Sequence, residues 1–175
     1  GVKSNWGNEL TAEDVRWTFH EYIWNPEIEA DRIRSILDNI AKAEALSPHV
    51  VEFTFKEPQF LNLDSAVTFY ILPKHFYSRF TPVQINQGTG LLMGSGPFKL
   101  ATLNPDNQWT PGKTIVLRRN ELYWGARPSV AERRYDAVSD SLTRLTQYLN
   151  GLGDMMRATP EQFDLKTREA GFNDA

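Results

Sequence analysis

A mixed α+β fold, within the broad α/β class, follows from three features of the sequence. A fully signalled amphipathic helix begins at Thr11. A run from Val50 to Phe55 alternates apolar and polar residues with the period of two that marks a half-buried strand. Two further strand patterns, Gly96–Leu100 and Lys113–Arg119, are joined by turn-forming residues, as in a hairpin. Strand-rich parts with helices between them, and no internal repeat, give this class rather than an all-helical or all-strand one.

Taken in order, Thr11-Ala12-Glu13-Asp14 is a capping box flanked by Leu10 and Val15 as a hydrophobic staple. Val15, Phe19, Tyr22 and Ile23 keep helical spacing, so the helix is predicted to reach Trp24, where Asn25-Pro26 stops it. A second helix is predicted with Ile33, Ile36, Leu37 and Ile40 on one face. Ala41–Leu46, before the Ser47-Pro48 turn, is the expected antiparallel partner of Val50–Phe55. Pro58-Gln59-Phe60-Leu61 opens a short apolar segment, and Ile71-Leu72-Pro73 leads into a helical turn through Tyr77. Residues 81–93 turn to glycine and polar residues and are read as a surface loop or a crossing between lobes. Asn104-Pro105-Asp106 and Pro111-Gly112 supply the turns at the two ends of the hairpin connection, and Arg134–Val138 is a third strand candidate. Leu142, Leu145 and Leu149 mark a helix closed by Gly151, and Pro160 starts the last one.

The 175 residues suffice for one domain or two small lobes, and 41% hydrophobic residues suffice for a core. A net charge of −3 without a basic block argues against a nucleic-acid partner. The absence of cysteine excludes a disulfide scaffold, zinc–cysteine sites and thiol catalysis. No run approaches the roughly 18 apolar residues of a membrane span. Gly1–Trp6 lacks the apolar core of a signal peptide, so either the protein is cytoplasmic or these residues are a piece of a longer chain.

No active site assembles from the residues. Gly112-Lys113-Thr114 lacks the first glycine of a phosphate loop, Asn107 standing there, and a strand rather than a helix follows. Gly94-Ser95-Gly96 is not a nucleophile elbow, because Met93 replaces the required glycine. His20, His49 and His75 are far apart, in no metal-ligand spacing. Asp136 and Asp140 flank a strand-to-helix turn, where an N-cap role for Asp140 is expected ahead of acid–base work. No catalytic residue, metal or cofactor is therefore expected. Among the aromatics, Trp109 sits in the most polar surroundings and is expected to be the exposed one, as a recognition residue or packed on its own hairpin.

Several segments, in this order, resemble the extracellular solute-binding proteins of family 5, the dipeptide, oligopeptide and nickel binding components of bacterial ABC importers. They are Leu10–Val15, Val50–Pro58, Ile71–His75, Gly94–Leu100, Ile115–Gly125 and Leu149–Asp154. Some positions depart from the family pattern. Ser95 stands for its usual threonine and Phe98 for its tyrosine. Asn120-Glu121-Leu122 replaces asparagine-proline-aspartate, and Gly151-Leu152-Gly153-Asp154 replaces glycine-glutamate-isoleucine-aspartate.

The resemblance implies a periplasmic binding protein fold of type II, present in part. Residues 1–79 would form a small extra lobe and residues 80–175 part of ligand-binding lobe I. It implies a non-catalytic module of a periplasmic or membrane-anchored receptor, binding a small solute, most commonly a peptide, and delivering it to ABC permease subunits. Membrane contact would come only through the permease or a lipid anchor outside these residues. Because family members are several times longer and carry a secretion signal, the piece-of-a-longer-chain reading is preferred. The family's pocket edge maps here onto Thr68, Phe69 and Tyr70. A ligand-sensing domain of a transcription regulator, and receptors for nickel chelates, opines or oligosaccharides, are the alternatives. A hydrolase is disfavoured for want of a nucleophile–base pair.

Overall fold

A computed structural model describes residues 1–88, 91–102 and 108–168. The Asn104-Pro105-Asp106 turn lies outside them. Compactness divides the chain into Gly1–Tyr135 and Asp136–Ala175. The lobe boundary at 79/80 implied by the resemblance is a different kind of division. On both sides of it, residues of the first unit share one cluster: Phe76 and Tyr77 pack with Phe80, Leu91 and Met93.

The first unit opens with helix α1 (Ala12–Trp17), which runs on without a break into a π-helical turn, Thr18–Ile23. The end at Trp24 is where the sequence predicts it. The interior is wider than predicted, with the amide of Trp24 reaching back five residues to the carbonyl of Phe19 at 3.1 Å. Widening shifts the phase of the helix faces, and the rod serves two cores. Phe19 and Ile23 pack with Leu37, Ile40, Ala43 and Phe69, while Trp17 packs with Phe76, Tyr77 and Met93. Tyr22 touches both clusters. Arg34 fastens the end of this rod, its guanidinium donating to the carbonyls of Ile23 (2.6 Å), Asn25 (2.6 Å) and Ile28.

Helix α2 is Asp31–Leu37, and the expected single apolar face is corrected in two places. Ile36 is exposed, and Ile40 is not helical but begins strand β1 (Ile40–Ser47). Strand β1 pairs antiparallel with β2 (Val50–Phe55), Ala43 opposite Phe53 and Ile40 opposite Phe55. A register shift between Ile40 and Lys42 explains how two residues three apart, Ile40 and Ala43, both face the core. Period-two alternation alone would have turned one of them to solvent. That three-residue spacing imitated a helix in the sequence.

Helix α3 (Asn62–Thr68) follows the segment read only as apolar, and α4 (Lys74–Tyr77) is the expected turn. Residues 81–93 are not wholly loop: Thr81 and Gln84 form a capping box that starts α5 (Pro82–Gln87) with proline at its first position. Strands β3 (Phe98–Leu100), β4 (Ile115–Arg119) and β5 (Glu132–Tyr135) make an antiparallel sheet in that order. The third strand lies earlier than Arg134–Val138, because its pairing ends at Ile115 opposite Tyr135, just past the Pro111-Gly112 turn, where Gly112 takes a φ of 77°. The guanidinium of Arg133 lies 4.2 Å over the Phe98 ring.

An N-terminal clasp ties these parts together within the first unit. The Asn5 amide donates to Gly94 O at 2.8 Å, and Asn5 Oδ1 accepts from the buried Asn120 Nδ2 at 3.2 Å. Asn120 also donates to Gly96 O and accepts from the amide of Leu122, so both N–H donors and the carbonyl oxygen of its buried side-chain amide are engaged.

In the second unit Asp140 caps α6 (Ser141–Leu149), accepting from the amide of Thr143 at 2.7 Å, as predicted. Gly151, at φ 70°, closes the helix with the paired bonds Gly151 N to Tyr148 O and Leu152 N to Gln147 O. Helix α7 (Pro160–Thr167) starts on the Thr159–Gln162 capping box, and Gln162 Nε2 donates to Ser141 O. Leu145, Tyr148, Met155 and Phe163 line an apolar cleft of about 250 Å³ there. None of the described residues from 136 to 168 is buried.

Candidate ligand-binding edge

The segment around Thr68–Tyr70 is positioned from beneath by α1 and the π-helical turn. Thr18 is buried inside that rod; its hydroxyl donates to Asp14 O at 2.6 Å and accepts from the amide of Leu72 at 2.9 Å. Phe69, at 8% exposure, is driven into the core against Phe19 and Phe53, with ring centroids 6.3 and 6.2 Å away. Pro73 is fully buried, and the following amide, of Lys74, donates to Asp14 Oδ1 at 2.8 Å. The other oxygen of Asp14 accepts from the amide of Thr11 at 2.7 Å. One buried carboxylate thus caps α1 and also seats the segment that leads into α4.

The three predicted site residues therefore have three different placements. Thr68 is exposed, but its hydroxyl donates to Asp64 O within its own helix. Phe69 is an anchor in the core. Tyr70 projects outward at 89% exposure. Sequence reasoning did not single out the other large apolar residues exposed nearby in the chain. Leu63 and Val67, one turn apart on α3, are 74% and 70% exposed, and Phe60, just before the helix, is 97% exposed. Their i, i+3, i+7 spacing was legible, but such a stripe ordinarily marks a buried face.

Electrostatics beside this edge are self-contained. Glu13 accepts from Arg16 Nε at 2.8 Å and from Lys74 Nζ at 2.8 Å. The hydrogen bond from Arg16, then that from Lys74, holds the Glu13 carboxyl down at about 2, against an ordinary value of 4.5. A depressed carboxylate stabilises the fold above its ordinary pKa, and that contribution is lost as pH falls from about 4.5 toward 2. Because both partners are partly exposed, solvent screening keeps the contribution to about 1 kcal/mol or less. Urea titrations at pH 6 and pH 3 should show the Glu13→Gln variant losing less stability on acidification than the parent, by up to that amount. Equal losses would remove Glu13 from the acid response.

The histidines are held by separate partners. His20 Nε2 is 2.9 Å from Ala43 O and His75 Nε2 is 3.3 Å from Ser4 Oγ, while His49 lies at the surface near Glu9. Burial lowers the His75 pKa, with Asp14 opposing the shift. Among the described residues, no three His, Cys, Asp or Glu side chains come together to hold a metal ion. Trp109 is half-buried, its indole Nε1 buried; the exposed tryptophan is Trp124. Trp109 stays on its own hairpin, where it lines a hollow together with Ala101 and Val116.

The family description "Bacterial extracellular solute-binding proteins, family 5 Middle" matches residues 1–174. The chain belongs to solute-binding protein family 5. Among relatives of this family 5 chain, the peptidoglycan-binding protein YepA of Agrobacterium fabrum is 34% identical over 138 residues, covering 76% of this chain and 20% of YepA. The oligopeptide-binding protein AppA of Bacillus subtilis is 28% identical over 176 residues, covering 97% of this chain and 30% of AppA. The structure of AppA in complex with a nonapeptide matches with a TM-score of 0.80 at 24% identity, over 98% of this chain and 33% of AppA. NikZ from Campylobacter jejuni, solved in complex with Ni(L-His), matches with a TM-score of 0.79 at 20% identity, over 97% of this chain and 32% of NikZ. Both structural matches establish the mixed α/β fold of these binding proteins. The family 5 chain spans about a fifth to a third of the length of these relatives. No described helix is long and apolar enough to cross a membrane.

Proposed function

We propose that this family 5 chain is part of the solute-binding component of an ABC importer, that its solute is a peptide, and that the receptor hands it to membrane permease subunits. The observation that carries this is the family match along nearly the whole chain. Relatives named for oligopeptide and peptidoglycan binding support a peptide or a peptide-bearing solute over others. In this reading the receptor works outside the cytoplasm, in the periplasm or anchored to a membrane. Residues 1–79 belong to a small extra lobe and residues 80–175 to lobe I. The Thr68–Tyr70 segment borders the cleft, with Phe69 as its buried anchor and Tyr70 as its reaching side chain. The reaction required of it is none: binding drives closure of the lobes, through contacts that exist only in the closed form.

A nickel-chelate receptor is the second reading, favoured by the fold match to NikZ with its bound Ni(L-His). Isothermal calorimetry of the full-length receptor with a mixed tetrapeptide library, and separately with Ni(L-His), tests the choice. Heat from the peptides alone is the expected result; saturable heat from the chelate alone would overturn it. The 175-residue chain by itself is expected to bind peptides feebly or not at all, because a cleft needs both of its walls. Micromolar binding by the isolated chain would contradict the cleft arrangement.

A further inference from the structure

We propose that the N-terminal clasp is a proton-operated latch: uptake of a proton by the ring of His75 on α4 releases Ser4 and Asn5, so the clasp is closed near neutral pH and loosened in mild acid. It goes beyond the receptor reading above, which stands or falls separately. Two contacts put His75 at the closing point. Its Nε2 lies 3.3 Å from Ser4 Oγ, and its ring centroid is 5.8 Å from that of Trp6. From there the clasp runs on to distant parts of the first unit. The amide of Ser4 donates to Asn8 O and that of Asn5 to Gly94 O, both at 2.8 Å, and Asn5 Oδ1 accepts from Asn120.

Ser4 is completely inaccessible to solvent, and among the described residues its hydroxyl bonds to His75 alone. A neutral ring with its proton on Nδ1 accepts that hydroxyl at Nε2. A protonated ring is a donor at both nitrogens, so the Ser4 hydroxyl proton is then left without an acceptor where water does not reach. The surrounding charges do not make good this loss. The N-terminal segment meets the ring with Ser4 and Trp6, both uncharged. Asp14 on α1 favours the protonated ring, but its two oxygens are taken by the amides of Thr11 and Lys74, and burial outweighs it, leaving His75 below its ordinary value of 6.5. Lys74 on α4 is paired with Glu13, and Arg79, in the turn after α4, adds a cation 5.6 Å from the Trp6 ring centroid. A histidine held neutral in this way contributes its full stability above pH 6.5, and that contribution declines as pH falls from there through the folded-state value.

Amide exchange of the full-length receptor at pH 7.5 and pH 5.5, corrected for intrinsic rates, reads the latch, with the amides of strand β4 as the internal reference. Acidification is expected to lower the protection of the Ser4 and Asn5 amides by about fivefold or more relative to β4, the size set by one stranded buried donor. Glu13, with a pKa of about 2, stays ionised throughout that window and adds nothing to the change. His75→Gln keeps an acceptor for the Ser4 hydroxyl but takes up no proton, so its protection is expected to be the same at both pH values. A ring-proton NMR titration of His75 in the parent requires no variant and should give a pKa below 6.5. A value at or above 6.5 would overturn the latch, as would unaltered protection of Ser4 and Asn5 in the parent or a pH response that survives in His75→Gln. If the variant fails to fold, the titration and the exchange of the parent decide between these outcomes.

Discussion

Replacing Phe76 with alanine is expected to lower the unfolding free energy by about 3–5 kcal/mol, the range for emptying a fully buried aromatic site. Phe76 is completely inaccessible to solvent and is enclosed by rings: Trp6 edge-on at 5.2 Å, Tyr77 at 4.9 Å and Phe80 at 5.3 Å. These neighbours come from the N-terminal segment, from α4 and from the chain beyond it. Collapse into the void would have to move two stretches of backbone far apart in sequence, the N-terminal segment and α4 with the turn that follows it, which is why the upper half of the range is expected. Urea denaturation should show a lower midpoint with an unchanged slope. A loss under about 1 kcal/mol would mean that the site is not packed as described.

Removal of the Asp14 carboxylate is the second large effect. Asp14→Ala should cost about 3 kcal/mol, because it leaves the amides of Thr11 and Lys74 without acceptors in a buried place, at about 1–3 kcal/mol for each unsatisfied donor. Asp14→Asn keeps one acceptor oxygen and should fall between the parent and the alanine variant. Amide exchange discriminates this from a general loss of stability. Thr11 and Lys74 should lose protection out of proportion to residues in β1 and β2. Uniform acceleration across the first unit would show that the two caps are not linked through this side chain.

The contrast between Asp14 and Ile40 shows how far local pattern carries. The capping box at Thr11 involves groups three residues apart, so its chemistry is written in adjacent letters and the helix start was legible. Its second duty, seating Lys74, joins positions 60 residues apart, and no local spacing encodes it. Ile40 was misplaced because a bulge gives a strand the three-residue spacing of a helix. The Thr81–Gln84 box that starts α5 was present in the sequence but passed over, because glycine and polar residues around it outweighed one short capping signal. For the candidate edge the resemblance supplied the segment, while burial separates the placements of its three residues. Three consecutive residues of similar promise became a self-bonded hydroxyl, a core anchor and an open ring. Leu63 and Val67 escaped notice because period alone says which residues share a face and not which way that face points.

The amide pair of Asn5 and Asn120 joins residues 115 positions apart, and Ser4 meets His75 across 71. Contacts of such separation are the slowest to close, since the entropy of a long loop must be met before they give anything back. During synthesis, the side chain of Asn5 must wait for its Asn120 partner until strand β4 and the residue after it have emerged. Trp6 can settle earlier, once His75 and Phe76 are made, but the buried amide pair of Asn5 cannot. Residues 4 and 5 thus settle only after residues made much later in the chain, leaving an interval in which a chaperone would meet this segment still open.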